Sequence, residues 1–428
     1  MTSLAQPDGP VAIDESDVHP GLRRAFAALD KWDGSWALLR GADDLASPTG
    51  DVDLLVSQAD ARLGALLRQA GFRQVPGAGR GTHQFWFSQL SSGGWLKLDI
   101  VSSLDFGPHQ EISTDLARQV LSRARRAGAA PRLLPVDEAW CFLLHLLLDK
   151  GDVPADRRAS AVSAAEVVSP VDAAVAYAPV LGRDTQLTAG LLRALRNEEW
   201  AAVSEVAVRL QTRVGVGQRP LTLIRRVTAR VARRLSGTSL RGEWGAVVAV
   251  LGPDGAGKTT LTQSLLDAFP MATRYVYMGF WQRRSWDALV RRLPGGRLGV
   301  LFFRLIRAGT EVAYQRARGR LVFVDRFRHD LAVSTDGSFG GRLFAWIASA
   351  VLPEPEVIVV LDAPAEVMLA RKGEHTVEVL DAQRRAYRSI AQNHQNCVVL
   401  DATLPPADVR RNAVSAIWHA YRHGSAAT

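Results

Sequence analysis

A chain of 428 residues is too long for one ordinary hydrophobic core and indicates two or three domains. Its 47% hydrophobic and 22% charged residues are normal for a globular protein, and its two distant cysteines, Cys141 and Cys397, argue against a disulfide framework or a cysteine-bound zinc. The net charge of +9 favours polyanionic partners such as nucleotides, nucleic acid or acidic lipid, although a solvated basic surface explains it equally well.

Export and membrane signals do not stand out in the chain. The N-terminal segment has neither a basic region nor an apolar core, so it does not resemble a secretory signal. The longest apolar stretches, such as residues 344–352, are far shorter than the ~20 residues of a membrane span. We therefore expect no transmembrane segment and a cytoplasmic location.

The first part of the chain, residues 1–110, predicts a small α/β domain. Helical and alternating strand patterns follow one another at residues 21–29, 36–39, 51–56, 60–70, 85–87 and 95–101. Residues 111–219 have helical periodicity without strand alternation and predict a helical region. Residues 220–243 are basic, with apolar residues at helical spacing. They predict a linker helix that packs on a neighbouring domain or, less favoured, contacts nucleic acid or anionic lipid.

The last part of the chain, residues 244–428, predicts an α/β domain with a parallel sheet. Continuous apolar runs bounded by polar residues lie at 245–251, 321–324, 357–361 and 397–400. Runs without alternation are typical of strands buried on both faces, and the helical patterns between them imply right-handed crossovers.

The strongest chemical signal follows the first of these runs. The letters GPDGAGKTT at residues 252–260 match the phosphate-binding pattern G-x4-G-K-[ST], between a strand and a helix. Glycines let the backbone amides surround a phosphate, and the helix N-terminus adds partial positive charge. Lys258 is predicted to bind the β- and γ-phosphates of ATP, and Thr259 to bind Mg²⁺. The nucleotide-binding residues are expected to be Gly252, Gly255, Ala256, Gly257, Lys258, Thr259 and Thr260.

Three further elements extend this prediction to a phosphotransferase. Asp325 and Arg326 end a strand at the sheet edge where ligands bind, so Asp325 can hold Mg²⁺ and Arg326 can bind a phosphate, unless they form a plain surface pair. Asp362 lies where a helix cap is expected, and we predict that it caps the next helix. Arg371 and Lys372 end that helix, where they form a basic lid over ATP or complement the helix dipole; we prefer the lid.

The motifs GPDGAGKTT, VDRF, PEPEVIVVLDAPAEV and VEVLDAQRRAYRSIAQ resemble thymidylate kinases in order and spacing, over less than half of the chain. This resemblance implies a P-loop NTPase fold, ATP and Mg²⁺ as cofactors, and transfer of the γ-phosphoryl to a nucleotide or similar small molecule. It also implies that Asp254 faces the acceptor's sugar hydroxyl, Arg326 its phosphate and Arg371 the ATP. The catalytic residues would then be Lys258, Asp254, Asp325, Arg326 and Arg371.

One segment departs from that family. Thymidylate kinases carry an Arg-Glu-Pro segment soon after the first helix, whereas this chain has an aromatic and basic segment at residues 275–284. Its Tyr277, Phe280 and Trp281 either stack on an acceptor or form a core cluster. The acceptor therefore stays open between a nucleotide, a nucleoside and a sugar-like metabolite, and a homodimer is left open as well.

A second candidate site lies in the first part of the chain. Asp51 and Asp53 are two residues apart on one strand and point to one face, and a later strand presents Asp99. Three converging carboxylates can hold two divalent ions for attack on a nucleotide α-phosphate. The pattern resembles nucleotidyltransferases of the polymerase-β type, although Gly41-Ala42 stands where Gly-Gly or Gly-Ser is usual. The resemblance implies nucleotidyl transfer, or a domain that keeps the fold and only binds substrate or helps assemble the protein.

Three functions follow from these patterns. An ATP-dependent small-molecule kinase is preferred. The first alternative is a nucleotidyltransferase, or a bifunctional enzyme that uses both sites. The second alternative is an ATP-gated module that binds nucleic acid or a membrane through its basic segment.

Overall fold

The structure, a computed structural model, describes residues 10–40, 44–75, 83–90, 92–107, 112, 114–181, 185–217, 245–277, 296–325, 347–348, 352 and 354–424. These residues belong to two compact units, one within 1–90 and 95–234 and the other within 91–94 and 235–428. The predicted basic linker, residues 220–243, lies outside the described residues. In the described part of the chain, every helix is too short or too polar to cross a membrane.

A mixed seven-stranded sheet forms the centre of the first unit. Its strands are β1 (Trp36–Arg40), β2 (Asp51–Val56), β3 (Arg73–Gln74), β4 (His83–Gln89), β5 (Trp95–Val101), β6 (Arg125–Ala127) and β7 (Ala130–Arg132). They lie in the order β3-β4-β5-β2-β1-β7-β6, with β2 parallel to β5 and β1 parallel to β7. The other neighbours are antiparallel. The strands predicted at 51–56 and 95–101 are confirmed at both ends.

One face of this sheet is covered by two helices, α1 (Pro20–Asp30) and α2 (Ala61–Gln69). The helix α2 begins where the Asp60 carboxylate accepts a hydrogen bond from the Leu63 amide at 2.8 Å. Side chains alternate along a strand, so every second one, such as Leu54 or Leu98, packs against these helices. The intervening side chains face the opposite side of the sheet.

The opposite face of the sheet packs on the middle part of the chain. The helices of this middle part are α3 (Leu116–Arg123), α4 (Pro135–Leu144), α5 (Arg158–Val167), α6 (Pro170–Ala176), α7 (Ala178–Leu181), α8 (Thr185–Arg196) and α9 (Trp200–Gly217). Short 3-10 turns lie at Glu15–Asp17 and Ala155–Arg157, and a π-helical turn at His145–Lys150 continues α4. Leu39, Leu55 and Val101 of the sheet share one core with these helices.

The prediction of a purely helical region at 111–219 is wrong in one place. Residues 125–132 form the hairpin of β6 and β7, and Arg132 pairs with Leu38 of β1. The hairpin has no alternation of apolar and polar residues to reveal it. Its strand conformation depends on pairing with β1, which lies much earlier in the chain.

A parallel five-stranded sheet forms the centre of the second unit, and the apolar runs predict four of its strands but not the strand at 273–277. Its described strands are β8 (Val247–Leu251), β9 (Thr273–Tyr277), β10 (Leu321–Asp325), β11 (Val357–Asp362) and β12 (Cys397–Asp401). The described helices are α10 (Lys258–Leu265), α11 (Gly296–Ala317), α12 (Ala365–Lys372), α13 (Val377–Asn393) and α14 (Pro406–Gly424).

The strand order places β8 at the centre of this sheet. The order is β12-β11-β8-β10-β9, so β8 lies between β10 and β11, and the connections leave it in two directions. Such a switch point opens a crevice at the carboxyl ends of the strands, where ligands of parallel sheets bind. All five strands are parallel, so their carboxyl ends share this edge.

Candidate functional site

The predicted phosphate-binding turn connects β8 to α10 at the carboxyl edge of the parallel sheet. Gly252 and Gly255 have φ values of +145° and +86°, in a region that residues with a Cβ rarely adopt. A Cβ on Gly252 would lie 2.7 Å from the carbonyl oxygen of Leu361, at the end of β11. Glycine at this position therefore lets β11 approach the turn in direct backbone contact.

Gly255 provides a test of this packing. Both Gly255 and Gly257 have φ near +90°, at +86° and +94°, so alanine strains the backbone at either position by roughly 1–3 kcal/mol. A Cβ on Gly255 would also lie 2.6 Å from the Met368 carbonyl oxygen in α12, whereas a Cβ on Gly257 would meet no described atom within 4 Å. Gly255→Ala should therefore lower the free energy of unfolding more than Gly257→Ala, as measured by urea unfolding. Equal losses would contradict the contact with α12.

Lys258 is the first residue of α10, and its side chain folds back over the turn. The ammonium donates hydrogen bonds to the carbonyl oxygens of Gly252 (2.8 Å) and Pro253 (2.9 Å), and it lies 3.5 Å from Asp254 Oδ1. Gly257, which precedes the helix, has no side chain to cap the amides of the first turn. These amides and the ammonium together suit an anion such as a polyphosphate.

The strand β10 places Asp325 at the same edge as the turn. The Cα partners of Asp325 are Val250 on β8 and Tyr277 on β9. The turn begins just after β8, so the backbone of Asp325 and the turn are neighbours at the carboxyl edge. Arg326 lies outside the described residues, as do Phe280 and Trp281.

Asp362, at the end of β11, does not cap a helix, and that prediction is wrong. The residue that precedes α12 is Pro364, and the Asp362 carboxylate instead accepts hydrogen bonds from two arginines of α13. Arg384 donates through Nε (2.6 Å) and Nη2 (3.1 Å), and Arg388 through Nη2 (2.6 Å) and Nε (3.2 Å). Burial alone would raise the pKa of Asp362, but these bonds outweigh it and the pKa lies below its ordinary value of 3.8.

The lowered pKa predicts how Asp362 contributes to stability as pH changes. The ionised carboxylate stabilises the fold at pH values above 3.8, and the contribution is lost as the pH falls through the folded-state pKa. Asp362→Asn should lower the free energy of unfolding at pH 7 by about 1–3 kcal/mol. The difference from the unchanged chain should shrink below about pH 4 in urea unfolding series. Asp267→Asn, at an exposed position of the same unit, is the control, and a pH-independent difference would contradict the ion-pair role.

The proposed lid residues lie at the end of α12. Arg371 Nη2 donates to the carbonyl oxygen of Ala402, just after β12, at 3.1 Å. Lys372 Nζ lies 3.0 Å from Glu374 Oε2, and its side chain is 45% exposed. Both cations are thus held at the carboxyl edge of the sheet. Their role over ATP stays a prediction.

The three predicted carboxylates of the first unit lie on neighbouring parallel strands. Asp53 of β2 pairs in register with Asp99 of β5, and Asp51 pairs with Lys97. They share the sheet face whose deeper residues, such as Leu55, pack on the middle helices. The strand pairing brings Asp53 and Asp99 side by side, but the ligand atoms of Asp51, Asp53 and Asp99 do not all lie within 4.8 Å of one another, and their joint role as a metal site stays a prediction.

Each of these carboxylates lies against a basic side chain. Arg40 Nε is 2.9 Å from Asp53 Oδ2, His83 Nδ1 is 3.0 Å from Asp99 Oδ2, and Lys97 Nζ is 2.5 Å from Asp51 Oδ2. Burial raises the pKa of Asp53, and the neighbouring carboxylates add to this while Arg40 opposes it.

A different trio of side chains places its ligand atoms close enough together to hold one metal ion. Among the described residues, three carboxylate or histidine ligand atoms lie within 4.8 Å of one another only at Asp254, Glu374 and His375. This trio joins the phosphate-binding turn to the loop after α12.

The chain matches no established family model. It is 34% identical over 137 residues to thymidylate kinases of Xanthomonas campestris pv. campestris, strains B100 and 8004, a match that covers 30% of this chain. The chain spans 60% of the length of these relatives, less than two thirds. The chain is similar in part to thymidylate kinases.

Two solved structures also match a part of the chain. A thymidylate kinase from Candida albicans is 16% identical, with a TM-score of 0.34, and the match covers 42% of this chain and 94% of that chain. A deoxyadenosine kinase from M. mycoides is 11% identical, with a TM-score of 0.31, and the match covers 40% of this chain and 98% of that chain. The resemblance to polymerase-β-type nucleotidyltransferases stays a prediction.

Four residues that the sequence patterns did not single out join the candidate site. Arg384 and Arg388 hold Asp362, and Glu374 and His375 lie beside Asp254. The spacing of the two arginines, four residues apart on one helix, was a signal that they share a face. The sequence has no comparable signal for Glu374 and His375, because their partner lies far away in the chain.

Proposed function

We propose that this chain is an ATP-dependent kinase that transfers the γ-phosphoryl group of ATP to a nucleotide or a similar small acceptor. The observation that carries the proposal is the position of Lys258, whose ammonium lies over a glycine-rich turn at the carboxyl edge of a parallel sheet. The partial similarity to thymidylate kinases supports it. The acceptor is proposed only as a class.

The residues at this edge suggest a division of roles. The amides of the first turn of α10 and the Lys258 ammonium bind the β- and γ-phosphates, once the ammonium leaves the carbonyl oxygens of Gly252 and Pro253. Thr259 and Asp325 provide the hydroxyl and carboxylate oxygens that Mg²⁺ prefers, and the bound ion would neutralise phosphate charge. Arg371 and Lys372 would cover the ATP side.

The acceptor side is formed by Asp254 and Arg326 in this proposal. Asp254 would accept a hydrogen bond from an acceptor hydroxyl, and Arg326 would bind an acceptor phosphate in a bidentate manner. Catalysis would then consist mainly of positioning the two substrates and neutralising charge. The aromatic segment of residues 275–284 stands where thymidylate kinases have Arg-Glu-Pro, so the test must include acceptors beyond thymidylate.

The proposal is tested by incubating the full chain with ATP, Mg²⁺ and a panel of nucleoside monophosphates, nucleosides and sugars. Acceptor-dependent ADP formation and a phosphorylated product detected by mass spectrometry are the expected result. Lys258→Ala should lower both by about 10²–10³-fold. If ATP binds normally but no acceptor raises ADP formation, the kinase proposal is wrong.

A second candidate function is nucleotidyl transfer in the first unit. The register that pairs Asp53 with Asp99, on the face that also holds Asp51, favours it. Pyrophosphate release from nucleoside triphosphates with Mg²⁺ or Mn²⁺ is the expected activity, and Asp53→Asn should abolish it. Asp156→Asn, an exposed aspartate of the same unit, should leave it unchanged. Release that persists in Asp53→Asn would place the activity elsewhere.

A further inference from the structure

The loop after α12 bends back over the phosphate-binding turn. Gly373 ends the helix with φ of +67°, and Thr376 precedes α13, so Glu374 and His375 occupy a short connection between two helices. His375 Nε2 lies 3.5 Å from Asp254 Oδ2. The ligand atoms of Asp254, Glu374 and His375 all lie within 4.8 Å of one another.

The position of this loop is set by packing. The Met368 carbonyl oxygen of α12 lies so close to Gly255 that a Cβ there would be 2.6 Å from it. The helix is therefore docked on the turn itself, and the residues that follow it are carried to the side chain of Asp254. Glu374 and His375 are thus held close to the turn by helix packing as well as by their own contacts.

The donor set of one imidazole nitrogen and two carboxylate oxygens suits a divalent transition metal. Zn²⁺ binds these atoms at about 2.0–2.2 Å, which separates tetrahedral ligands by about 3.3 Å. The contact between His375 and Asp254, at 3.5 Å, already approaches this separation. An imidazole ligand favours Zn²⁺ or Co²⁺ over Mg²⁺, which prefers oxygen.

The two oxygens of the Asp254 carboxylate face different neighbours. Lys258 lies 3.5 Å from Oδ1 of Asp254, whereas His375 faces Oδ2, so the lysine and the histidine do not share one oxygen. The His375 side chain is 36% exposed, which gives an ion a path from solvent. Two lysines oppose binding, Lys258 beside Asp254 and Lys372 beside Glu374, and the exposed side chain of Lys372 has room to turn away.

We propose that Asp254, Glu374 and His375 form a binding site for Zn²⁺ or a similar divalent transition metal, and that the bound ion inhibits the enzyme. The ion would tie the loop after α12 to the phosphate-binding turn. It would also engage Asp254, the residue proposed to face the acceptor, so acceptor binding and metal binding would exclude each other. The inhibitory part rests on the proposed kinase function, whereas the metal site does not.

Metal binding is tested with the full chain without a purification tag. Co²⁺ titration should produce visible absorption bands of a nitrogen- and oxygen-ligated ion, and Zn²⁺ should displace it. His375→Ala and Glu374→Gln should each weaken Co²⁺ affinity by more than about tenfold, since even residues behind the ligands contribute 10–100-fold in metal sites. His394→Ala, a histidine elsewhere in the same unit, is the control. Equal affinity in His375→Ala and His394→Ala would overturn the site.

Inhibition is tested in the kinase assay at buffered free Zn²⁺ with saturating Mg²⁺. The unchanged chain should lose activity at Zn²⁺ concentrations that leave His375→Ala active, with half-inhibition shifted by more than about tenfold. Zn²⁺ that binds at the trio without slowing turnover would overturn the inhibitory role. A chain that binds Co²⁺ through His375 but phosphorylates no acceptor would support the site and count against the proposed function.

Discussion

Replacing Lys258 by alanine is expected to lower kcat/KM for ATP-dependent phosphoryl transfer by about 10²–10³-fold. The ammonium is the cation that the structure holds directly over the phosphate-binding turn, 2.8 Å from the Gly252 carbonyl oxygen. Its removal takes away positive charge where negative charge is redistributed in the transition state. The measurement is steady-state ADP formation with the best acceptor of the panel.

Two controls accompany this test, one for the loss of a positive charge elsewhere in the unit and one for the stability of the variant. Arg410→Ala removes an exposed cation from α14 of the same unit and should leave kcat/KM within about twofold, as expected for an exposed surface charge. Thermal unfolding of Lys258→Ala is measured beside activity, because the ammonium also donates hydrogen bonds to the carbonyl oxygens of Gly252 and Pro253, and the kinetic comparison is made at a temperature at which the variant is folded. Turnover that survives the Lys258 substitution within tenfold would refute the assigned role of this lysine.

Replacing Asp137 by alanine is expected to lower the free energy of unfolding of the first unit by about 3–5 kcal/mol. Asp137 lies in α4 with its side chain 1% exposed. Its carboxylate accepts hydrogen bonds from Arg123 Nε (3.0 Å) and Nη2 (2.6 Å) and from the Tyr177 hydroxyl (2.6 Å). The substitution would leave a guanidinium and a buried hydroxyl without their acceptor.

The neighbouring residue provides a matched control for this substitution. Glu138 follows Asp137 directly in the first turn of α4, but its side chain is 34% exposed and pairs with Arg132 at 3.3 Å. Glu138→Ala should lower the free energy of unfolding by no more than about 1 kcal/mol. Urea unfolding followed by tryptophan fluorescence measures both. Similar losses in the two variants would contradict a special role for the buried network.

Some elements could be predicted because neighbouring residues determine them. Asp60 lies at the start of a helical pattern, and its carboxylate caps α2 by accepting a hydrogen bond from the Leu63 amide, three residues later in the chain. The strands at 51–56 and 95–101 follow from alternating side chains, and the strand of 247–251 follows from a buried apolar run. Each of these patterns reflects conformational preference and burial along a short segment.

The side-chain partners of the site could not be predicted in the same way. Asp362 has the sequence context of a helix cap, yet its carboxylate binds Arg384 and Arg388. Both arginines lie on α13, which packs so that their side chains reach the end of β11. The sequence around His375 does not indicate a partner for its side chain, because His375 comes close to Asp254 only when α12 packs on the phosphate-binding turn. Pairing and docking over long chain distances determine these contacts.

The phosphate-binding turn is the feature that the amino-acid sequence by itself determined, because positive φ angles demand glycine and the order of strand, turn and lysine lies within one short segment. The tertiary structure alone decided which cations meet which carboxylates. The β6–β7 hairpin joined the first sheet, and the loop at Glu374 and His375 met Asp254, only through contacts between distant segments. Local preferences act along the chain, whereas charged side chains select partners in space after the sheets and helices have packed.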